Sequence, residues 1–166
     1  MIEATEYALV SLEFYSPLYF HSLLNFELPP DQHQFTALPK EVLDTAIADP
    51  SMFPITVVHK ENPVGFFVLH YRSAKVLEYT QNPNAVLLSA FSINYKDQGK
   101  GFAKQTLTLL PHFVKINFQG VDDIVLGVNQ RNLVAKSLYI KVGFQDRGEI
   151  KIGKKGPQHV LHYPLE

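Results

Sequence analysis

The sequence predicts an α/β domain built on a mixed, mainly antiparallel sheet of about six to seven strands flanked by about four helices. Three observations carry that prediction. Short apolar runs of β-compatible residues alternate along the chain with stretches of helical spacing. One of those runs, Ala85 to Ile93, feeds through a double-glycine turn into a helix. The chain has 166 residues, 46% hydrophobic and 19% charged, which is enough apolar material for one core, so residues 1–166 are read as a single domain.

Each element has its own justification. Tyr7 to Leu12 is short, apolar and β-compatible, and makes a first strand. Ser16-Pro17 then places a capping residue before a proline at a first helical position, which opens a short helix from Leu18 to Leu24 closed by Pro29-Pro30. Asp31 to Leu38 has no sustained period and reads as a loop. Pro39-Lys40-Glu41 starts a second helix with Val42, Leu43, Ala46 and Ile47 on one face, ended at Asp49-Pro50 because a residue before proline avoids the helical region. Ile55 to Val58 and Val64 to Leu69 form a hairpin around a turn at Glu61-Asn62-Pro63. The long run Ala85 to Ile93 is the next strand. After the glycine turn, Ala103, Leu107, Leu110 and Val114 make one apolar stripe of a third helix. Pro111 within it removes a backbone hydrogen bond and predicts a kink between Leu107 and Pro111. Ile124 to Val128 is a further buried strand, followed by a helix from Leu133 to about Val142 that Gly143 ends. Phe144 to Ile152 and His159 to Tyr163 complete the sheet around a turn at Gly153 to Pro157.

Composition excludes several functions. Lys plus Arg is 15 against 16 for Asp plus Glu, so no basic face exists for nucleic acid and no polybasic patch for a membrane. Cysteine is absent, which rules out disulfides, a thiolate nucleophile and Cys-ligated metal. His159 and His162 do not share a strand face, so they give no metal site. The acidic start Met1-Ile2-Glu3-Ala4-Thr5-Glu6 is unlike a signal peptide, and no run is long and apolar enough to span a bilayer. A soluble, cytoplasmic protein is expected.

The chemistry gathers at Gln98-Gly99-Lys100-Gly101-Phe102-Ala103. Glycines there let the backbone approach a ligand, and the first turn of the following helix leaves amides without intrahelical partners, a setting that favours phosphate. The spacing is not that of a P-loop, since Gly99-Lys100 is followed by Gly101, nor of a dinucleotide fingerprint, whose third glycine is replaced by Lys104. What remains, Gln-x-x-Gly-x-Ala, resembles the pyrophosphate-binding signature of the GCN5-related N-acetyltransferases. A second stretch, Asn132-x-x-Ala135-x-x-Leu138-Tyr139-x-x-x-Gly143-Phe144, is similar to the later motif of the same family. The bland reading of that stretch is a helix whose core face is Ala135, Leu138 and Val142, with Gly143 as its C-cap. Two motifs in the family's order, with a strand between them, are more specific than either alone.

The resemblance implies a fold whose central strands splay apart, Ser89 to Ile93 from Ile124 to Val128, and acetyl-CoA as cofactor. Backbone amides of Gln98, Gly99, Lys100, Gly101, Phe102 and Ala103 would hold the pyrophosphate, with Lys100 adding charge. The strand through Phe91 and Ile93 would pair with the pantetheine arm as a strand adds to a sheet edge. Asn132 and Ala135 would contact the cofactor, and Tyr139, beside its sulfur, would be the general acid. Direct attack by an amine held in line needs no cysteine. The implied activity is acetyl transfer to a primary amine of a small molecule. The alternatives are a peptide or protein amine, or a non-catalytic acyl-CoA sensor.

One departure from the family stands out: Leu87 to Ile93 carries no carboxylate to act as base, only Ser89 and Ser92. Glu13, Glu27 and Glu78 are the alternative acids, and Phe14, Tyr15, Tyr19 and Phe20 lie where the family builds its acceptor pocket. The run Gly143 to Glu149 is loosely similar to small bacterial polyamine acetyltransferases, although a polyamine site needs several carboxylates. Homodimerisation through the C-terminal strands is compatible with the sequence.

Overall fold

The computed structural model describes residues 9–166. Seven strands form one sheet: β1 (Ser11–Phe14), β2 (Met52–His59), β3 (Asn62–Tyr71), β4 (Ala85–Ile93), β5 (Asp123–Asn129), β6 (Gln145–Gly153) and β7 (Gly156–Pro164). Their order is β1-β2-β3-β4-β5-β7-β6. Every neighbouring pair is antiparallel except β4 with β5. The helices are α1 (Phe20–Leu24), α2 (Pro39–Ala48), α3 (Phe102–Asn117) and α4 (Leu133–Lys141). Tyr7 and Ala8 of the first predicted strand lie outside the described residues, and among the described residues β1 begins at Ser11, after Leu9 and Val10.

The central strands read as unbroken apolar runs because both of their faces are covered. On one face Phe67, Leu69, Val86, Leu88, Ile124 and Leu126 pack beneath Leu107, Leu110 and Val114 of α3, and Ala135 and Leu138 of α4, with Val142 at its C-cap, join that core. On the other, Phe66 and Val68 lie under Leu23 of α1 and Leu43 and Ala46 of α2. Pro39 starts α2, and the Leu38 amide donates to the Glu41 carboxylate at 2.6 Å, closing its first turn. Of the predicted α2 face, Leu43 and Ala46 are buried and Val42 half-buried, whereas Ile47 is 52% exposed.

One local expectation needs correction. The β2–β3 hairpin turns at Lys60 and Glu61, not at Glu61-Asn62-Pro63; both take positive φ, 47° and 68°, as a tight turn matched to strand twist requires. Pro111 lies inside α3, which continues on both sides of it over 16 residues in all. No helix among the described residues is long and apolar enough to cross a membrane.

The feature that makes a site is a bulge. Phe66 faces Ser92, yet Val68 faces Ser89, so β4 holds one residue more than β3, and Ala90 takes φ +52° to accommodate it. A bulged strand bends. β4 pairs with β5 only at Ala85, Val86 and Leu87, opposite Asp123, Ile124 and Val125. Beyond those residues the two strands part. The splay therefore begins after Val125, and Ile124, expected in the separated segment, is still paired.

Candidate active site

The parting strands open a cleft of about 970 Å³ that passes through the sheet from the α3–α4 face to the α1–α2 face. Its first wall is the glycine turn. Gly99 and Gly101 take φ +78° and +85°, and a Cβ on either would meet nothing within 4 Å. The left-handed conformation is what requires glycine at both positions. Among the described residues, no amide from Gly99 to Lys104 donates to a protein acceptor; the helical pattern begins with the Gln105 amide and the Gly101 carbonyl. These donors sit at the positive end of a 16-residue helix.

Gln98 does a different job from its neighbours. Its side-chain amide donates to the Ile93 carbonyl at 2.9 Å and exchanges hydrogen bonds with Gln32, at 3.0 and 3.2 Å. It therefore closes the turn and fastens the α1–α2 loop to it. The same loop is tied across the cleft mouth by Lys155, donating to the His33 carbonyl, and by Arg131, donating to Gln34 and lying over the Phe35 ring.

The second wall is α4. Asn132 caps it, its side chain accepting from the Ala135 amide at 3.3 Å. Tyr139, two turns on, stacks edge-on against Phe144 with ring centroids 5.5 Å apart. Its hydroxyl has no protein partner among the described residues, and burial raises its pKa far above the usual phenol range. The phenol stays protonated at neutral pH.

Phe91, Ile93, Gln98, Gly99, Gly101, Ala103, Asn132, Ala135 and Tyr139 thus border one cleft. Two predicted site residues send their side chains elsewhere. Lys100 is exposed and lies 3.8 Å from Asp97, and Phe102 is buried in the core with its ring against His59. Lys104 lines the cleft instead. Glu13, Glu27 and Glu78 do not border it: Glu13 accepts from the Tyr19 hydroxyl, and Glu78 pairs with Lys75 and Lys151. Phe14, Tyr15, Tyr19 and Phe20 are also absent from its walls, whose aromatic residues are Phe35, Tyr79, Phe91 and Tyr139. Tyr79 and Gln158 lie over Gly127, where any Cβ would collide with them at 2.8 and 2.6 Å. Nothing in the local sequence marked those two, because Gln158 reaches Gly127 through the β5–β7 register and Tyr79 from the segment before β4, both distant in the chain.

No family model matches the chain. It is 43% identical over 156 residues, 94% of this chain and 98% of the other, to the uncharacterized N-acetyltransferase YbbJ of Bacillus subtilis (strain 168). The chain belongs to the GCN5-related N-acetyltransferases. Solved structures share the family's fold at low identity. Aminoglycoside acetyltransferase AAC(6')-Ib in complex with coenzyme A superposes with TM-score 0.75 at 18% identity, covering 94% of this chain and 95% of that one. Spermidine N-acetyltransferase from Vibrio cholerae, in complex with coenzyme A and spermine, gives TM-score 0.71 at 17% identity, again over 94% and 95%. The cofactor of those acetyltransferases fits the residues present here. The unbonded amides of Gly99 to Lys104 suit a diphosphate, and the unpaired edges of β4 and β5 suit an amide-bearing arm.

Proposed function

We propose that this acetyltransferase, acting as one domain in the cytoplasm, moves an acetyl group from acetyl-CoA to the primary amine of a small molecule. The observation that carries this reading is the single cleft that joins the unbonded amides of Gly99 to Lys104 to the protonated phenol of Tyr139. Bound acetyl-CoA supplies an activated thioester. Backbone amides at the α3 N-terminus hold its diphosphate, with Lys104 nearby. The β4 backbone at Phe91 to Ile93 and the α4 positions Asn132 and Ala135 orient its arm. Tyr139 delivers a proton to the leaving thiolate, a transfer that general-acid groups typically accelerate by about 10²- to 10⁴-fold.

The charge of the cleft lining as a whole narrows the amine. Asp31 is the one acidic residue of the cleft lining among the described residues, against Lys104, Arg131, Lys154 and Lys155. A second ammonium group near such a lysine meets repulsion of about 1 kcal/mol at 4 Å in water, and about 4 kcal/mol at the effective dielectric of a protein surface. The acceptor is therefore a monoamine with neutral or anionic substituents, not a polyamine.

Thiol release from acetyl-CoA with a panel of amino acids, short peptides, polyamines and aminoglycosides tests the reading, alongside coenzyme A binding. The expected result is turnover with one class of monoamine that falls about 10²-fold in Tyr139→Phe while coenzyme A affinity is kept. Cofactor binding without turnover on any amine would favour a sensor. Absence of binding would remove the basis of the assignment.

A further inference from the structure

We infer that Ser89 and His70 together form the proton acceptor for the incoming amine, with Ser89 as the contact in the cleft and His70 as the base behind it. The inference rests on the acetyltransferase reading above and addresses its missing carboxylate. His70 stands opposite Leu87 across the β3–β4 ladder, and Ser89 follows Leu87 by two residues, so all three side chains share the α1–α2 face. The His70 Nε2 lies 2.8 Å from the Ser89 Oγ. Ser89 borders the cleft two residues beyond the last β4–β5 pair, where the sheet opens, whereas His70 is 6% exposed and does not border it. Any proton that reaches the imidazole from the cleft passes through the Ser89 hydroxyl.

The surroundings keep the imidazole able to accept. Burial is the main cause that lowers its pKa; Lys75 acts in the same direction, and Asp49 and Glu78 oppose them. Asp49 precedes β2, and Lys75 and Glu78, themselves paired at 3.3 Å, flank the turn before β4. The ring is neutral at pH 7, and with Nδ1 carrying its proton the Nε2 lone pair faces Ser89. The step balances as a proton relay. An ammonium N–H bond breaks as its proton joins the Ser89 Oγ, and the Ser89 O–H bond breaks as its proton joins His70 Nε2. The amine is left with a free lone pair, and His70 becomes an imidazolium. Burial alone does not demand this pair. On the same face the Thr56 and Ser92 hydroxyls are equally buried and have no partner.

The test uses two amines of nearly the same shape and very different basicity, ethylamine and trifluoroethylamine, at saturating acetyl-CoA. At pH 7 the first arrives as ammonium and the second as free amine. His70→Gln and Ser89→Ala are expected to lower kcat/KM for ethylamine by about 100-fold and to leave trifluoroethylamine within a few-fold of wild type. The ethylamine deficit should close as the pH rises. Ser89→Thr, which keeps the hydroxyl, should retain activity. The His70 ring signals in NMR should report a neutral imidazole at pH 7. Unchanged coenzyme A affinity shows that a variant is folded, and Ser89→Ala carries the test if His70→Gln does not fold. Equal losses with both amines, no loss with either, or an imidazolium at pH 7 would overturn the relay alone. A wild type that binds coenzyme A and acetylates neither amine would overturn the acceptor reading and the relay with it.

Discussion

His70 and Tyr139 are both pushed by burial towards their uncharged forms, and the two shifts have opposite sense on the pH scale. For Tyr139 the pKa rises, so the phenol holds its proton across the range in which a thiolate leaves. For His70 the pKa falls below the value of about 6.5 that it has in the unfolded chain. A folded state that binds protons more weakly than the unfolded one gains stability with rising pH. His70 therefore contributes stability that is complete above its unfolded pKa and is lost as the pH drops through its folded pKa. Wild type should lose more of its urea midpoint between pH 7 and pH 5 than His70→Gln does; parallel losses would show that the imidazole is not buried neutral. Tyr139 was legible in the sequence because a whole motif surrounds it. His70 was not, since it is one of 7 histidines and its role depends on a partner 19 residues away on the next strand.

At the scale of elements, α3 carries both the end whose amides are unbonded and the main apolar stripe of one core, so its integrity couples the proposed cofactor site to stability. Pro111 costs a helix interior about 3 kcal/mol relative to alanine, and its restriction of the unfolded chain returns only about 0.4–1 kcal/mol. Pro111→Ala should accordingly raise the unfolding free energy by about 2 kcal/mol, read from a denaturant titration. A neutral or destabilising result would mean that the helix has already adjusted around the proline. The element pattern itself was readable from periodicity: seven strands and four helices stand near their predicted places. Boundaries shifted where backbone geometry decides, as at the Lys60-Glu61 turn and at the start of β1.

At the scale of the molecule, the cleft is a meeting of distant segments. The α1–α2 loop, the glycine turn, the β5–α4 junction and the β6–β7 turn are fastened to one another through Gln32–Gln98, Arg131–Gln34 and Lys155–His33. Their charges act as one field, with Asp31 against four bases: Lys104, Arg131, Lys154 and Lys155. Reversing part of that field in Lys154→Glu should lower KM for a polyamine such as spermidine several-fold, raise it for an anionic monoamine, and make both effects shrink at high salt. An unchanged ratio of the two KM values would show that Lys154 does not face the acceptor.

The sequence by itself determined the order of elements, the glycine turn with its unbonded amides and the position of Tyr139 on α4. Each depends on residues close together in the chain, where hydrophobic period, glycine conformation and helix capping act. Only the tertiary structure decided where the sheet splits and what faces the opening. The split follows from an extra residue in β4 relative to β3, with Ala90 at positive φ, and no local rule assigns that conformation to an alanine. The pairing of Ser89 with His70 and the approach of Gln158 to Gly127 follow from strand register, and the approach of Tyr79 and the scarcity of acid in the cleft from the meeting of distant segments. Register is a property of two strands at once, and it is set by the packing of both faces of the sheet.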